Sequence, residues 1–413
     1  MTSLLTLCEV YGGRTLFEQF DEDVQSQIQI LLEELIAVIG QAHQILDPHT
    51  SYPSFVPSHQ NQLPTDLSST KTFVSWRSTD TTQKTTSTIH RWRWSLWDKK
   101  RVATIVKNFV NLNNRIHGNI KLWCLCTSVG INPQHLTRLR DEESSKKLGF
   151  DSDAILQLAA TDSQVMEVSL ELRDPDLHLA AQQSAFLEGR FRMLDWGQTS
   201  VLIEYRRNIF GLEHHQVIMD DRTKDRVEKL ARLLHQPKEQ IFRTPSCIGW
   251  LVDPLKNDIG FVYTAPSTTG TPVSLLKAFA IKELRASLGQ RFRLSHELAR
   301  CISQLQLVKW FHESFRSDNI LLFPRGYQEQ RESPEVVSKL DYSQPWVMGF
   351  EFSRAEDDVS FGVKDPCVER DVYRHPDRQR APTKHFTKLH DIYALGVVLL
   401  EIGTYDLFSK AIK

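Results

Sequence analysis

The residues with the most chemical content lie together in the run WFHESFRSDNILLF, from Trp310 to Phe323. It offers an imidazole (His312), a hydroxyl (Ser314), a guanidinium (Arg316), a carboxylate (Asp318) and an amide (Asn319) just before an apolar Ile-Leu-Leu run. Arg316 could grip a phosphate or carboxylate with two parallel N–H groups, and Asp318 could in principle take a proton. His312 and Asn319 could equally serve the backbone of their own loop, as side chains of ordered turns do. The residue types favour that structural role, and they favour a solvated Arg316, since exposed charges are the norm. Asp391 is structural on the same logic: a carboxylate flanking the apolar helix KLHDIYALGVVLLEIG must find donors.

Other candidates carry less. Of six cysteines, only Cys124 and Cys126 are close in sequence, and Cys-x-Cys without a second ligand pair falls short of the four ligands that zinc requires, so no metal site is assigned. Trp92, Trp94 and Trp97 stand among Arg91, Arg93, Lys99, Lys100 and Arg101. That cluster could be an interfacial membrane patch. The helix that follows favours tryptophans buried between helices with the basic residues solvated.

These residues need a scaffold, and the hydrophobic spacing outlines one. Apolar positions from Phe17 to Ile45 recur at intervals of three and four, predicting one long helix that Asp47-Pro48 stops. Residues 48–89, rich in Ser, Thr, Pro and Gln, read as a flexible loop. A second helix follows Asp98, with Val102, Ile105, Phe109, Leu112, Ile116 and Ile120 on one stripe. The rest of the first 180 residues is mostly helical in pattern, so residues 1–180 are expected to form a helical bundle. The pattern then changes. From residue 186 it predicts a strand at Val201–Tyr205, a helix over RTKDRVEKLARLLHQP, two short strands, and a long helix directing Phe292, Leu294, Leu298, Ile302 and Leu305 to a core.

Composition bounds the function. The 413 residues carry 50 Lys and Arg against 51 Asp and Glu, a formal charge of −1, so no global field draws the chain to nucleic acid. Scattered cysteines fit a reducing compartment, and no run of 18 apolar residues spans a membrane. A cytoplasmic protein is expected.

The His312–Asn319 spacing, on a loop between a long helix and an apolar strand, resembles the catalytic loop H-R-D-L-x-x-x-N of protein kinases. Further matches follow in the same order. VMGFEFSR (347–354) resembles the D-F-G turn, with Gly349, Phe350 and Glu351 at its three places; YRHPD, containing Pro376, resembles the A-P-E segment; and HDIYALGVVLLE resembles the buried helix whose Asp, here Asp391, bonds the catalytic loop. Upstream, VLIE puts Glu204 at the place of the V-A-I-K lysine and Glu228 at that of its glutamate partner. The resemblance covers residues 186–413, stops just after the Asp391 helix, and implies a mainly helical α+β chain: an N-terminal bundle, then an incomplete kinase-like fold with a small β-rich lobe and a shortened helical lobe.

The same matches mark what is missing. Phosphoryl transfer needs a lysine on the phosphates, an Asp and Asn on magnesium, and an Asp for the hydroxyl proton. Here those places hold Glu204, Gly349 with Asn319, and Ser314. The pattern is that of a pseudokinase, and no cofactor is assigned. ATP and Mg²⁺ belong to the alternative, a divergent active kinase using Asp318 as base and Lys224 toward phosphate, with Glu204, Glu228 and Asn319 the weak cofactor-binding candidates. The segment WRWSLWDKKR (92–101) resembles the signature of the fungal prion-inhibition and propagation (HeLo) domain. That resemblance implies heterokaryon-incompatibility or cell-death signalling, with other proteins as partners. Membrane association would come only through the bundle, which could act as a membrane effector in a third reading.

Overall fold

The structure, a computed structural model, describes residues 15–46, 99–126, 132–161, 169–206, 221–253, 258–266, 270–325, 340–350, 353–355, 367–379 and 384–405. The loop at 48–89, the tryptophans at 92, 94 and 97 and Glu351 lie outside the described residues. The chain divides into two compact units, Phe17–Lys121 and Met1–Leu16 with Leu122–Lys413.

The smaller unit holds helix α1 (Glu22–Leu46) and most of α2 (Lys99–Cys126). The long first helix expected from Phe17 is broken: Leu16–Gln19 forms a short helix, and Phe20 buries its ring where the chain turns before Glu22. Ile28 and Leu31 on α1, and Ile105, Leu112, Ile116 and Ile120 on α2, are buried. An ion pair between Glu34 and Arg115 joins the two helices.

In the larger unit, α3 (Pro133–Asp141), α4 (Glu143–Leu148), α5 (Asp151–Thr161) and α6 (Pro175–Gln183) precede a sheet. Its five strands are β1 (Phe186–Leu187), β2 (Phe191–Trp196), β3 (Thr199–Arg206), β4 (Cys247–Asp253) and β5 (Asp258–Thr264), antiparallel in the order β1-β2-β3-β5-β4. Helix α7 (Asp221–His235) packs on β4. Of the helices of residues 133–183, which the sequence groups with an N-terminal bundle, α6 packs on this sheet, where Leu177 and Ala181 cover one face, while α3 and α4 pack on α5, whose Leu156 joins the main core on the other side. Periodicity identifies a helix but not the surface that receives it.

Successive strand residues face opposite sides of a sheet. In β3, Val201, Ile203 and Tyr205 face α6, while Leu202 faces the main core. The same alternation turns Glu204 toward that core. The edge of β4 is covered by the chain itself: Trp250 donates its N–H to the Leu170 carbonyl (3.0 Å) and accepts one from Leu172 (2.7 Å). Gly249 permits this approach, since a Cβ there would lie 2.3 Å from the Leu170 carbonyl oxygen.

The remainder is a smaller strand system under two long helices. Strand β6 (Val273–Ser274) leads into α8 (Leu275–Ala280). Helix α9 (Leu288–Leu307), opened by a Ser287–Gln290 capping box, precedes β7 (Trp310–Phe311) and β8 (Ile320–Leu322). Strands β9 (Trp346–Val347) and β10 (Arg354–Ala355) complete a three-stranded sheet, β6-β8-β9, and a β10-β7 pair. Helix α10 (Lys388–Thr404) packs against α9. Phe292, expected in the core, is 69% exposed on α9, whereas Leu294, Leu298, Ile302 and Leu305 are buried. Among the described residues, no helix is long and apolar enough to cross a membrane.

Candidate functional site

The loop between β7 and β8 is held from below by α10. Asp391, near the N-terminal end of that helix, accepts the backbone N–H of His312 on Oδ2 (2.9 Å) and that of Glu313 on Oδ1 (3.1 Å). Burial pulls the Asp391 carboxyl up to about 7, while the two N–H groups favour the ionised form. The anchor also holds Glu313 in a left-handed conformation, φ +60°.

Both ring nitrogens of His312 are engaged. Nδ1 accepts the Ser314 N–H (3.2 Å), which places the proton on Nε2, and Nε2 donates it to the Met348 carbonyl (3.0 Å). Complete burial lowers its pKa to about 3, so the imidazole is a neutral brace between the loop and the segment after β9, not a proton shuttle. Asn319 Nδ2 donates to the Ser314 carbonyl (2.5 Å) and approaches its hydroxyl (3.3 Å). Arg316 is buried rather than solvated: it donates to the Ser314 hydroxyl and pairs through Nε with Asp318 (2.6 Å). Asp318, the substitute base of the alternative reading, is thereby tied to a guanidinium.

Gly349 does more than lack a carboxylate. Its φ is +83°, and a Cβ at this position would lie 2.2 Å from Asn319 Nδ2. Both the backbone conformation and the packing demand glycine. Its N–H donates to Glu204 Oε2 (3.2 Å), and the other oxygen of that carboxylate pairs with Arg190 (3.3 Å). Arg190 also reaches the Asp318 carbonyl (3.4 Å), so one guanidinium joins the first sheet to the β7–β8 loop. Two residues earlier in the chain, Glu188 accepts the Ser274 N–H (2.9 Å). The β1–β2 turn, with Glu188 at φ +52° and Gly189 at φ +74°, thus docks on the second strand system at two points.

Glu228 stands apart from this group. It accepts from Leu170 N (2.8 Å), Trp250 Nε1 (2.7 Å) and the Ser169 hydroxyl (3.1 Å), and pairs with Arg232 (3.3 Å). Burial alone would raise its pKa; these donors outweigh it and hold the carboxyl below its usual range. It clasps the edge segment beside β4 and is not a partner for residue 204. Lys224 pairs with Glu171 (3.7 Å) on the same edge, not with the β7–β8 loop.

Sequence reasoning missed three members of the network. Arg190 and Glu188 lie in a turn with no motif, though two charges flanking a lone glycine before a strand are a faint signal. Glu401 of α10 is fully buried, accepting from Ser317 and from the Tyr373 hydroxyl (2.9 Å). Its signal in the sequence is a carboxylate directly after the apolar run ALGVVLL.

Pro376 opens a short turn whose cap is His375. His375, Asp377 and His390 bring one potential metal ligand each within 4.8 Å of one another. Their hydrogen bonds oppose ligation. Nδ1 of His390 accepts the Thr387 N–H (2.8 Å) and Nδ1 of His375 that of Asp377 (3.3 Å), so the single lone pair that each neutral ring could offer a metal already serves a backbone N–H. Lys384 already holds Asp377 (2.8 Å). The cluster caps the segment leading into α10.

Among the described residues, those at the kinase-like places around the β7–β8 loop do not fit a magnesium triphosphate. Glu204 presents an anion, Gly349 offers no ligand, and one neutral amide, Asn319, is too little for a metal that prefers carboxylates and waters. No protein-family model matches the chain, and a search of curated proteins finds no match.

Proposed function

We propose that this chain is a catalytically defective, protein-kinase-like regulatory or scaffold protein, of the kind found in fungal incompatibility and cell-death signalling, with its N-terminal helical part as an interaction module. The observation that carries the reading is the Glu204 carboxylate, buried at the place where a kinase needs a cation and bonded to Gly349 N–H and Arg190. Support comes also from the order of the segments and from Asp391, which bonds the backbone of the loop as the resemblance implies. Among the described residues the site keeps the parts that brace a loop, while the places that would hold a paired lysine, a metal carboxylate and a proton acceptor carry Glu204, Gly349 and Ser314. Purified full-length protein, incubated with Mg²⁺ and γ-labelled ATP, is expected to label neither itself nor a general acceptor protein. Metal-dependent labelling that Asn319→Ala abolishes would overturn the proposal.

A further inference from the structure

Among the described residues of the smaller unit, apolar side chains stand exposed on both long helices. On α1, Leu32, Ile36 and Ile39 follow helical spacing beside the buried Ile28 and Leu31, and Ile36 is 68% exposed. On α2, Val106, Phe109 and Val110 flank the buried Ile105 and Leu112, and Val106 is 54% exposed. Each helix therefore has an apolar arc wide enough for two neighbours, and exposed patches of this kind mark interaction surfaces.

Charge selects the occupant. Helix α1 carries Glu22, Asp23, Glu33 and Glu34 and neither Lys nor Arg, whereas α2 carries six Lys and Arg and no carboxylate. Glu34–Arg115 shows the two signs meeting within one chain. A second copy related by a two-fold axis would set acidic α1 against basic α2′ and basic α2 against acidic α1′. The ring α1-α2-α1′-α2′ then alternates in sign at every contact while closing the apolar arcs into a four-helix bundle. An anionic lipid surface would attract α2 but repel α1. We propose that the α1–α2 pair is a dimerisation module, completed by the same pair of a second chain.

Sedimentation equilibrium of the full chain tests this. The wild type is expected as a dimer, and Ile36→Asp, at an exposed position, should raise the dimer dissociation constant by at least about a hundredfold, because both copies lose apolar burial and gain a desolvated carboxylate. Circular dichroism should be unchanged. Glu33→Lys and Lys107→Glu should each weaken the dimer and their combination restore it. A monomer at every concentration, a wild-type dimer indifferent to Ile36→Asp and to both charge changes, or a monomer that binds anionic vesicles through Ile36 would each overturn the proposal.

Discussion

Replacing Asp391 with alanine should be the most damaging single truncation in the larger unit. The carboxylate satisfies the N–H groups of His312 and Glu313, and His312 and Asp391 are both almost completely buried. Each buried donor left without an acceptor costs about 1–3 kcal/mol, so the loss is roughly 2–6 kcal/mol, a large part of the ~5–15 kcal/mol that stabilises a typical domain. The anchor also holds Glu313 at φ +60°, a conformation that costs a non-glycine residue about 1–3 kcal/mol and persists only when its surroundings enforce it. Asp391→Asn keeps one acceptor oxygen and should lose about half as much. Urea unfolding followed by circular dichroism ranks the three proteins: wild type, then asparagine, then alanine. If alanine matched the wild type, the loop would not depend on α10.

The second large effect concerns Gly349. On the proposed kinase-like reading, placing a carboxylate there is the obvious route to a metal site, and the geometry forbids it. A side chain would force a left-handed residue, at about 1–3 kcal/mol, and would collide with Asn319, whose amide is itself bound to Ser314; overpacking of that kind adds about 1–3 kcal/mol. Gly349→Asp should therefore lower the melting temperature by at least about 4 °C, since ~1 kcal/mol moves a domain of this size by about 2–4 °C. The triple variant Glu204→Lys, Ser314→Asp, Gly349→Asp should be less stable still and gain no metal-dependent turnover. Replacing Glu204 would leave Arg190 facing a second cation, and removing one partner of a buried pair costs about 3–5 kcal/mol. A triple variant that melted like the wild type and hydrolysed ATP would mean that the chemistry lies only three side chains away.

The sequence makes the elements of the larger unit legible wherever a period is strong. The β-type run from Val201 to Tyr205 predicts a strand, and the pleat of the folded strand sets Glu204 opposite to Val201 and Ile203, between the two cores on either side of β3. The stripe on α9 predicts four of its core residues. It fails at Phe292 because an amphipathic stripe records apolar type, not whether another element covers it. The same limit explains residues 133–183, where the pattern identifies helices without saying that α6 covers one face of the sheet and α5 joins the core on the other. For the site, residue types picked out His312, Ser314, Asn319 and Asp391, and the resemblance to kinases added Gly349. What closes the site was not legible, since Arg190 and Glu188 act through a turn whose direction depends on two successive left-handed residues, Glu188 and Gly189. Arg316 was misread for a related reason. A guanidinium can be buried when Asp318 and the Ser314 hydroxyl meet it, and those partners become visible only once the loop is folded.

Calorimetric titration of the full-length protein with ATP in the presence of Mg²⁺ bears most directly on the central claim, that Glu204 and Gly349 fill the phosphate and metal positions with groups that bind neither. No heat of binding is expected, and no rise in melting temperature at saturating nucleotide, where a ligand at about 100 times its dissociation constant would add about 2.7 kcal/mol. Magnesium-dependent binding that Asn319→Ala abolishes would contradict the account.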